Sequence, residues 1–433
     1  MRNPATEQFA LAVAHDATEL AALAGSVAAE AAEALLADQK PDGHLLFELE
    51  ADATIPAEYI FLNHFLDDLE PELEAGLATY LRSTQSPRHG GWPLFHDGDF
   101  NISASVKAYY ALKLIGEDAD APHMARARAA ILEHGGAETA NVFTRYTLAL
   151  FGQVPWRAVP AMPVELMLMP RWFPVNMWKM SYWSRTVVAP LLILAALKPL
   201  ARNPRGIGCQ EIFRQPPERV KRWNRNPTGK LWGEFFLALD ALLHPAERYL
   251  FAHLPFRRRA IDRAVAFITA RLNGEDGLGA IFPAMANTVM AFDRLGYHRD
   301  HPDFVTALAA VRKLLVPSAG ERDGRPRYCQ PCMSPLWDTA LAAHGLLEAG
   351  IAADEPRLTA LCDWLAERQI TELAGDWAIN APDLKPGGWA FQYRNDYYPD
   401  VDDTAVVGML LHRVDARRYA TQIERAQTWI EGM

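Results

Sequence analysis

The apolar positions of this chain follow a repeat built from two kinds of helix. The first helix ends near a glutamine, a glycine-rich turn with an aromatic residue follows, and the second helix carries little charge. The turns lie at residues 36–43, 85–92, 272–282 and 369–389, and the charge-poor helices are predicted at residues 57–65, 105–114, 287–295, 338–347 and 403–411. A helix that is apolar on all sides must be buried. Repeated pairs of this kind predict concentric rings of helices, which form an α/α barrel.

Signals for β-strands are nearly absent, because alternating polar and apolar runs are missing and Val/Ile clusters are sparse. The sequence therefore predicts an all-α protein. Its 433 residues suggest two or three domains. The first two dozen residues are rich in alanine and are expected to form an amphipathic or frayed helix.

Charge and cysteine usage narrow the function classes. A formal net charge of −10 argues against nucleic acid as a partner, because phosphate binding needs a concentrated basic surface. Four cysteines and an N-terminus without a secretory signal fit a reducing cytoplasm. Cys329 and Cys332 have the spacing of half a zinc site, but no second pair follows, so incidental thiols are favoured and no metal is expected.

Residues 231–259 join an apolar, aromatic run to Arg257, Arg258 and Arg259. No run in the chain reaches the ~18 uninterrupted apolar residues that a transmembrane helix needs. Aromatic and aliphatic residues beside an arginine cluster suit a helix that lies in the membrane interface. A core helix with a solvated basic end fits the residues equally well.

The segment at residues 385–405, KPGGWAFQYRNDYYPDVDDTA, places three carboxylates behind a run of aromatic residues. Asp400, Asp402 and Asp403 cannot all ionise once they are shielded from water, because each negative charge raises the pKa of its neighbours. At least one carboxyl is therefore predicted to stay protonated at neutral pH. A neutral acid in an aromatic site can protonate an alkene carbon. The alternative is an acidic loop in which Asp402 or Asp403 is the N-cap of a helix.

This segment resembles the Asp-x-Asp-Asp region of squalene-hopene cyclases, and the similarity extends over roughly residues 25–433. Further matching segments are GGW at 90–92, VKAYYALK at 106–113, NVFTR at 141–145, VPW at 154–156, SYWSR at 181–185 and SPLWDTA at 334–340. Matches in this order and at family-like spacing are specific together, although no single motif is.

The resemblance implies two α/α barrel domains, the second inserted in the sequence of the first. We expect an N-terminal helical segment at 1–38, a catalytic barrel formed by 39–59 and 330–433, and an inserted barrel with the membrane-binding segment at 60–329. Turns of the type Gln-x-x-x-Gly-x-Trp are the family's repeats, in which the Gln caps a helix and the Trp stacks on it. The copy around Gly43 lacks the Trp.

The resemblance also implies the activity: an isomerase that folds squalene into hopene, or into hopanol when water is captured, without a cofactor or metal. Asp402 is expected to donate the proton, while Asp400 and Asp403 hold the shared negative charge and orient the donor. A rival reading is a class II diterpene cyclase, which needs a basic pocket for a diphosphate and usually magnesium. Another is a non-catalytic α/α scaffold.

Four more residues are expected to bind the substrate. The resemblance points to the aromatic residues Trp183, Trp337 and Phe391, whose π-faces can stabilise cations. It points to Glu58 as part of a polar pocket near the site of final deprotonation or water attack. Lys107 stands where some relatives carry an acid. Because of this substitution, the sequence leaves open which groups polarise the attacking water.

The same resemblance implies where the protein binds and how much of the first barrel the sequence contains. These cyclases are monotopic, so we expect a peripheral protein on the cytoplasmic face of the inner membrane; a homodimer stays open. Residues 364–369, WLAERQ, open one repeat, and residues 429–433, WIEGM, open another that stops one residue before the expected Gln. We therefore expect the sequence to be a fragment with an incomplete first barrel, which by itself would be inactive.

Overall fold

The computed structural model describes residues 17–226, 229–249, 255–317 and 326–433, and the prediction of an all-α protein is confirmed. The helices of the described part are α1 Ala17–Ala37, α2 Thr54–Leu66, α3 Pro71–Ser83, α4 Ile102–Leu114, α5 Pro122–Glu133, α6 Val142–Leu150, α7 Tyr182–Leu197, α8 Leu231–Tyr249, α9 Phe256–Arg271, α10 Phe282–Leu295, α11 Pro302–Arg312, α12 Pro335–Glu348, α13 Pro356–Glu367, α14 Val401–Asp415 and α15 Ala420–Gly432. All five predicted charge-poor helices lie within observed ones, in α2, α4, α10, α12 and α14.

The chain divides into two compact units, one formed by Met1–Phe47 with Ser334–Met433 and the other by Glu48–Met333. The boundary that we placed between residues 59 and 60 would cut α2 in its middle. A helix whose residues pack together into one core belongs to a single unit, so the structural division falls before α2. Residues 1–16 of the expected N-terminal segment lie outside the described residues.

The unit Glu48–Met333 is built around a closed ring of inner helices. In cyclic order, α2 contacts α4, α4 contacts α6, α7 contacts α10, and α10 returns to α2. A hydrogen bond of 2.8 Å from the Tyr146 hydroxyl to the Leu191 carbonyl joins α6 to α7. Nearly all residues of α2 and α4 are buried, which explains why these helices carry so little charge.

The outer helices of this unit are amphipathic. Helix α9, for example, buries only the stripe formed by Ala260, Ala264, Phe267 and Ile268. Two short antiparallel strands, β1 Leu315–Pro317 and β2 Pro326–Cys329, also belong to the unit, and β2 packs against α3. The sequence did not predict this hairpin, because each strand is too short to show a period of two.

The glycine-rich turns form matching sets of hydrogen bonds. Gln85 donates from Nε2 to the carbonyls of Gly90 (2.6 Å) and His123 (2.9 Å), and Trp92 donates from Nε1 to the Leu81 carbonyl (2.7 Å). The glutamine thus binds a carbonyl in the first turn of the next outer helix and ties this helix to the turn. The same geometry recurs in the other unit.

In the unit Met1–Phe47 with Ser334–Met433, Gln369 donates to the carbonyls of Gly387 (2.8 Å) and Gln422 (2.9 Å), and Trp389 donates to Leu365 (2.7 Å). The turn that lacks the Trp keeps the glutamine bonds, from Gln39 to Gly43 (2.8 Å) and to Arg357 (3.0 Å). Helices α12 and α14 contact each other and pack on α13, and α15 packs on α14.

Helix α8 exposes most of its large apolar side chains, with Trp232 71% exposed. The exposed residues are Leu231, Trp232, Phe235, Phe236, Leu242 and Tyr249. Arg258 and Arg259 are exposed as well, whereas Arg257 turns inward and pairs with Glu165 (3.4 Å). The alternative of a buried core helix therefore does not fit α8. Residues 250–254 of the predicted segment lie outside the described residues.

By length and composition alone, one described helix could cross a membrane, at Leu20–Ala37 within α1. It contains Glu30 and Glu33, and it lies near the N-terminus. Core helices of soluble proteins and signal sequences meet the same criterion.

Candidate active site

The three clustered carboxylates lie where a loop ends and α14 begins. Asp400 is the N-cap: its backbone is extended, and its Oδ1 accepts a hydrogen bond of 3.0 Å from the backbone N–H of Asp403. Asp402 and Asp403 therefore occupy the first turn. The acidic-loop alternative named Asp402 or Asp403 as the cap, and the structure instead gives this role to Asp400.

The loop is closed at its base by an antiparallel bridge between Trp389 and Asp400, in which the Asp400 N–H donates to the Trp389 carbonyl (3.0 Å). The Trp389 N–H in turn donates to Thr404 Oγ1 (3.0 Å). A glycine is required at position 388, because a Cβ atom there would lie 2.8 Å from the Cβ of Pro399 and 2.9 Å from Thr404 Oγ1. The turn glycines thus let the aromatic segment pass close to the acidic cap.

The three acids differ in how far they are buried. Asp403 is 2% exposed, Asp400 is half-buried, and Asp402 is exposed. Burial, followed by the charge of Asp400, raises the pKa of Asp403 to about 9. Burial also raises the pKa of Asp400 to about 6, although its hydrogen bonds with Asp403 oppose this increase. At neutral pH Asp403 therefore holds a proton, and Asp400 is largely ionised.

The pKa values of Asp400 and Asp403 change the roles that we expected for these two residues. The pKa of Asp403 is raised more than that of Asp400, whereas we expected Asp400 and Asp403 to share the negative charge. A side-chain hydrogen bond between Asp403 and Asp400 favours one proton for the two groups. Within the described residues, Asp403 Oδ1 has no hydrogen-bond partner, which is a further reason for the neutral form. The assignment of Asp402 as donor stays a prediction.

Two of the predicted aromatic residues meet in this unit. The rings of Trp337 and Phe391 are half-buried, and their centroids lie 6.4 Å apart. Beside Trp337, burial raises the pKa of Asp338, although its carboxylate accepts hydrogen bonds from the Phe47 N–H and the Ser334 hydroxyl (each 3.0 Å). We had not assigned a role to Asp338. Its only sequence signal was its place in the matching segment at 334–340.

The other two predicted residues belong to the unit Glu48–Met333. Trp183 lies in the first turn of α7, half-buried, with its ring edge-on to Tyr182 at 5.7 Å. Glu58 lies on α2 and forms an ion pair with Lys107 of α4; their side chains are 19% and 6% exposed. Lys107 thus neutralises the acid that we expected in a polar pocket.

Glu58 and Lys107 line a cavity of about 360 Å³ inside the ring of inner helices. Its wall is mostly apolar and includes Phe61, Tyr146 and Phe282. Among the described residues, no group of three or more His, Cys, Asp or Glu side chains could hold a metal ion. Asp52 is the third charged residue that lines this cavity.

Comparisons with known proteins agree over almost the whole chain. The family profile described as "Squalene-hopene cyclase N-terminal domain" matches residues 28–319, and "Squalene-hopene cyclase C-terminal domain" matches residues 333–433. Relatives named squalene-hopene cyclase are 54% identical in Zymomonas mobilis, 52% in Schizosaccharomyces japonicus and 37% in Alicyclobacillus acidocaldarius, each over 93% of this chain. The chain spans 62%, 61% and 62% of these relatives, which is about three fifths of their length.

Proposed function

This chain belongs to the squalene-hopene cyclase family, and on that premise we propose that it cyclises squalene to hopene, with hopanol as a second product. The reaction begins with proton transfer from Asp402 to a terminal alkene. The observation that carries this proposal is the acid cluster, in which the exposed Asp402 stands beside the half-buried Asp400 and the buried Asp403. The relatives' names support squalene over the diphosphate of a diterpene cyclase.

A proton donor to an alkene must reach the substrate and must be a strong acid. Asp403 meets neither condition, because it is buried and its raised pKa makes it a weak acid. Asp402 is exposed in the first turn of α14, where a substrate can reach its carboxyl. This accessibility supports Asp402 as the donor.

The chemistry balances without a cofactor. The O–H bond of Asp402 breaks while a C–H bond forms at one alkene carbon, and the π electrons supply that bond and leave a cation on the neighbouring carbon. Each ring closure moves the cation onward. Loss of a proton at the end gives hopene, an isomer of squalene, whereas addition of water followed by proton loss gives hopanol. A proton from solvent restores Asp402.

The remaining predicted residues have roles that match their chemistry. The rings of Trp337 and Phe391 offer π-faces to developing positive charge, an interaction worth about 2 kcal/mol when desolvated. We assign Trp183 the same role in the other unit. Glu58, which is paired with Lys107, supplies a polar group for the end of the reaction.

We also propose that the protein binds the cytoplasmic face of the membrane in which squalene dissolves. The exposed apolar residues of α8 support this proposal, since contiguous apolar surface rimmed by cations suits a membrane interface. Arg258 and Arg259 are exposed and available to lipid headgroups, whereas Arg257 is engaged with Glu165 and Glu247. No span of the bilayer is needed for such binding.

The test uses the protein as its host cell makes it, incubated with squalene in detergent, with products analysed by gas chromatography. Asp402→Asn keeps the shape of the side chain but cannot donate a catalytic proton, so we expect conversion to fall by roughly a thousandfold or more. Asp354→Asn, an equivalent change at an exposed position of the same unit, should leave conversion unchanged. Hopene from Asp402→Asn at near wild-type yield would refute the proposal.

A further inference from the structure

A second polar network lies in the unit of the acid cluster, where the buried imidazole of His44 joins the exposed Asp42 to the half-buried Tyr393. Its Nδ1 lies 2.6 Å from Asp42 Oδ1, and its Nε2 lies 2.7 Å from the hydroxyl oxygen of Tyr393. His44 is 7% exposed. A carboxylate, an imidazole and a phenol are thus connected in series, between residues 349 positions apart in the sequence.

The imidazole is held in place from several sides. Its ring stacks on the Trp364 indole, with 4.7 Å between centroids and 17° between planes, and the Arg368 guanidinium lies 3.7 Å from the same indole centroid. The Trp364 Nε1–H donates to the second oxygen of Asp42 (3.0 Å). Tyr393 meets His44 edge-on at 5.3 Å. Rotation of the imidazole would break two hydrogen bonds and this stacking at once.

The charge on Asp42 fixes the direction of one hydrogen bond. Burial alone would raise the pKa of Asp42, but the hydrogen bonds from His44 and Trp364 outweigh it and lower the pKa. An ionised Asp42 accepts the proton of His44 Nδ1. The second hydrogen bond of the series joins His44 Nε2 to the Tyr393 hydroxyl. Arg368, on the indole that stacks against His44, is the other charged group of this cluster.

Tyr393 belongs to the loop that leads into the acid cluster. The loop is fixed at its base by the bridge between Trp389 and Asp400, and near its end by a hydrogen bond of 3.0 Å from the Asp376 N–H to the Tyr397 carbonyl. Between these points, Phe391 packs on Trp337 only two residues before Tyr393. Tyr393 therefore lies on the same short loop as Phe391 and Asp400, between the two points at which the loop is fixed.

We propose that His44 is a positioning residue of the acid site, which acts through Tyr393 to hold the loop 389–400 and thereby sets the places of Phe391 and Asp400. This inference rests on the proposed function for its catalytic consequence. His44 itself touches neither reacting atom nor substrate. Its contribution is to keep the aromatic wall and the capping acid in register with the donor on α14.

The test compares Tyr393→Phe, His44→Phe and the double variant in the protein as its host cell makes it. Both substitutions keep an aromatic ring for packing. Tyr393→Phe removes only the hydrogen bond to His44, whereas His44→Phe removes the hydrogen bond to Asp42 as well. We expect each single variant to lose roughly 5- to 50-fold in kcat, with KM within about twofold, because misplaced catalytic groups reduce kcat. The double variant should be no slower than the slower single variant, since both act through one contact.

A control variant and a rescue variant distinguish a positioning role of His44 from a general loss of stability. Tyr419→Phe is the matched control, because it removes a tyrosine–carboxylate bond of 2.7 Å to Asp363 in the same unit, and its kcat should stay at the wild-type value. His44→Gln, whose amide can donate to Asp42 and accept from Tyr393, should recover part of the lost kcat. Losses that multiply in the double variant, or an equal loss in Tyr419→Phe, would overturn the proposal.

A readout without turnover distinguishes this inference from the proposed function. The titration midpoint of the Asp400 carboxyl, followed by carbon NMR of labelled aspartate, should move in Tyr393→Phe and His44→Phe and stay in place in Tyr419→Phe. If the wild-type protein converts no squalene, the proposed function fails while this titration still decides the role of His44. An Asp400 midpoint that is the same in all variants would overturn the proposed positioning role of His44.

Discussion

Replacing Asp403 by asparagine removes the carboxyl that the fold keeps protonated. Asp403 is 2% exposed, and its pKa is raised to about 9 by burial and by the charge of Asp400. A group with a raised folded pKa holds its proton in the folded state and loses it in the unfolded state. Between the unfolded pKa near 4 and the folded pKa near 9, the folded state binds more protons, so wild-type stability falls as pH rises.

The size of this effect follows from the shift. Each pH unit in the window is worth 1.36 kcal/mol, so three units from pH 5 to pH 8 give an upper bound of roughly 4 kcal/mol. Relaxation of the protein around a newly formed charge reduces this bound, so we expect about half of it, roughly 2 kcal/mol. Asp403→Asn should therefore gain about 2 kcal/mol relative to wild type between pH 5 and pH 8.

The assay is urea unfolding of both proteins at pH 5, 6.5 and 8, followed by tryptophan fluorescence. The quantity of interest is the change with pH of the difference in free energy of unfolding, because any packing cost of the amide is the same at each pH. Asp354→Asn, which is exposed, should show no such slope. A difference for Asp403→Asn that stays constant within ~0.5 kcal/mol, or falls as pH rises, would refute the argument from burial.

Two further predictions concern the unit Glu48–Met333. The double variant Phe235→Glu with Phe236→Glu should bind liposomes roughly tenfold or more weakly, whereas Phe95→Glu, at another exposed phenylalanine, should bind as wild type does. Unchanged sedimentation of the double variant with liposomes would exclude α8 from the membrane contact. Lys107→Met should lower the free energy of unfolding by about 2–4 kcal/mol, because it leaves the partly buried Glu58 carboxylate unpaired. Adding Glu58→Gln should restore at least half of the lost stability. Equal stability of the single and double variants would contradict this.

The sequence predicted the inner helices well because their signal is local. Few charged residues occur in α2 and α4, and burial from all sides is the direct cause. The turn around Gln85 was predicted for a similar reason, since its glutamine, glycines and tryptophan lie within a few positions. The hydrogen bonds from Gln85 to the carbonyls of Gly90 and His123 are, however, visible only in the folded chain.

What the sequence could not supply depends on contacts between distant positions. The clustering of Asp400, Asp402 and Asp403 predicted that one carboxyl would stay protonated, but only burial in three dimensions shows that the most strongly raised pKa belongs to Asp403. The three arginines after α8 read as one cluster, yet Arg257 pairs with Glu165, 92 positions away. The contact between His44 and Tyr393 spans 349 positions and has no local signature.

The decisive experiment follows the proton itself. The protein, isolated as its host cell makes it and equilibrated in D2O, is given squalene, and the cyclised product is analysed by mass spectrometry and NMR. Transfer from Asp402 predicts one deuterium in the hopene, on the first-ring methylene next to the carbon that bears two methyl groups, with no product from Asp402→Asn. Hopene without deuterium, or labelled hopene formed equally fast by Asp402→Asn, would contradict the assignment of Asp402 as the acid that starts the reaction.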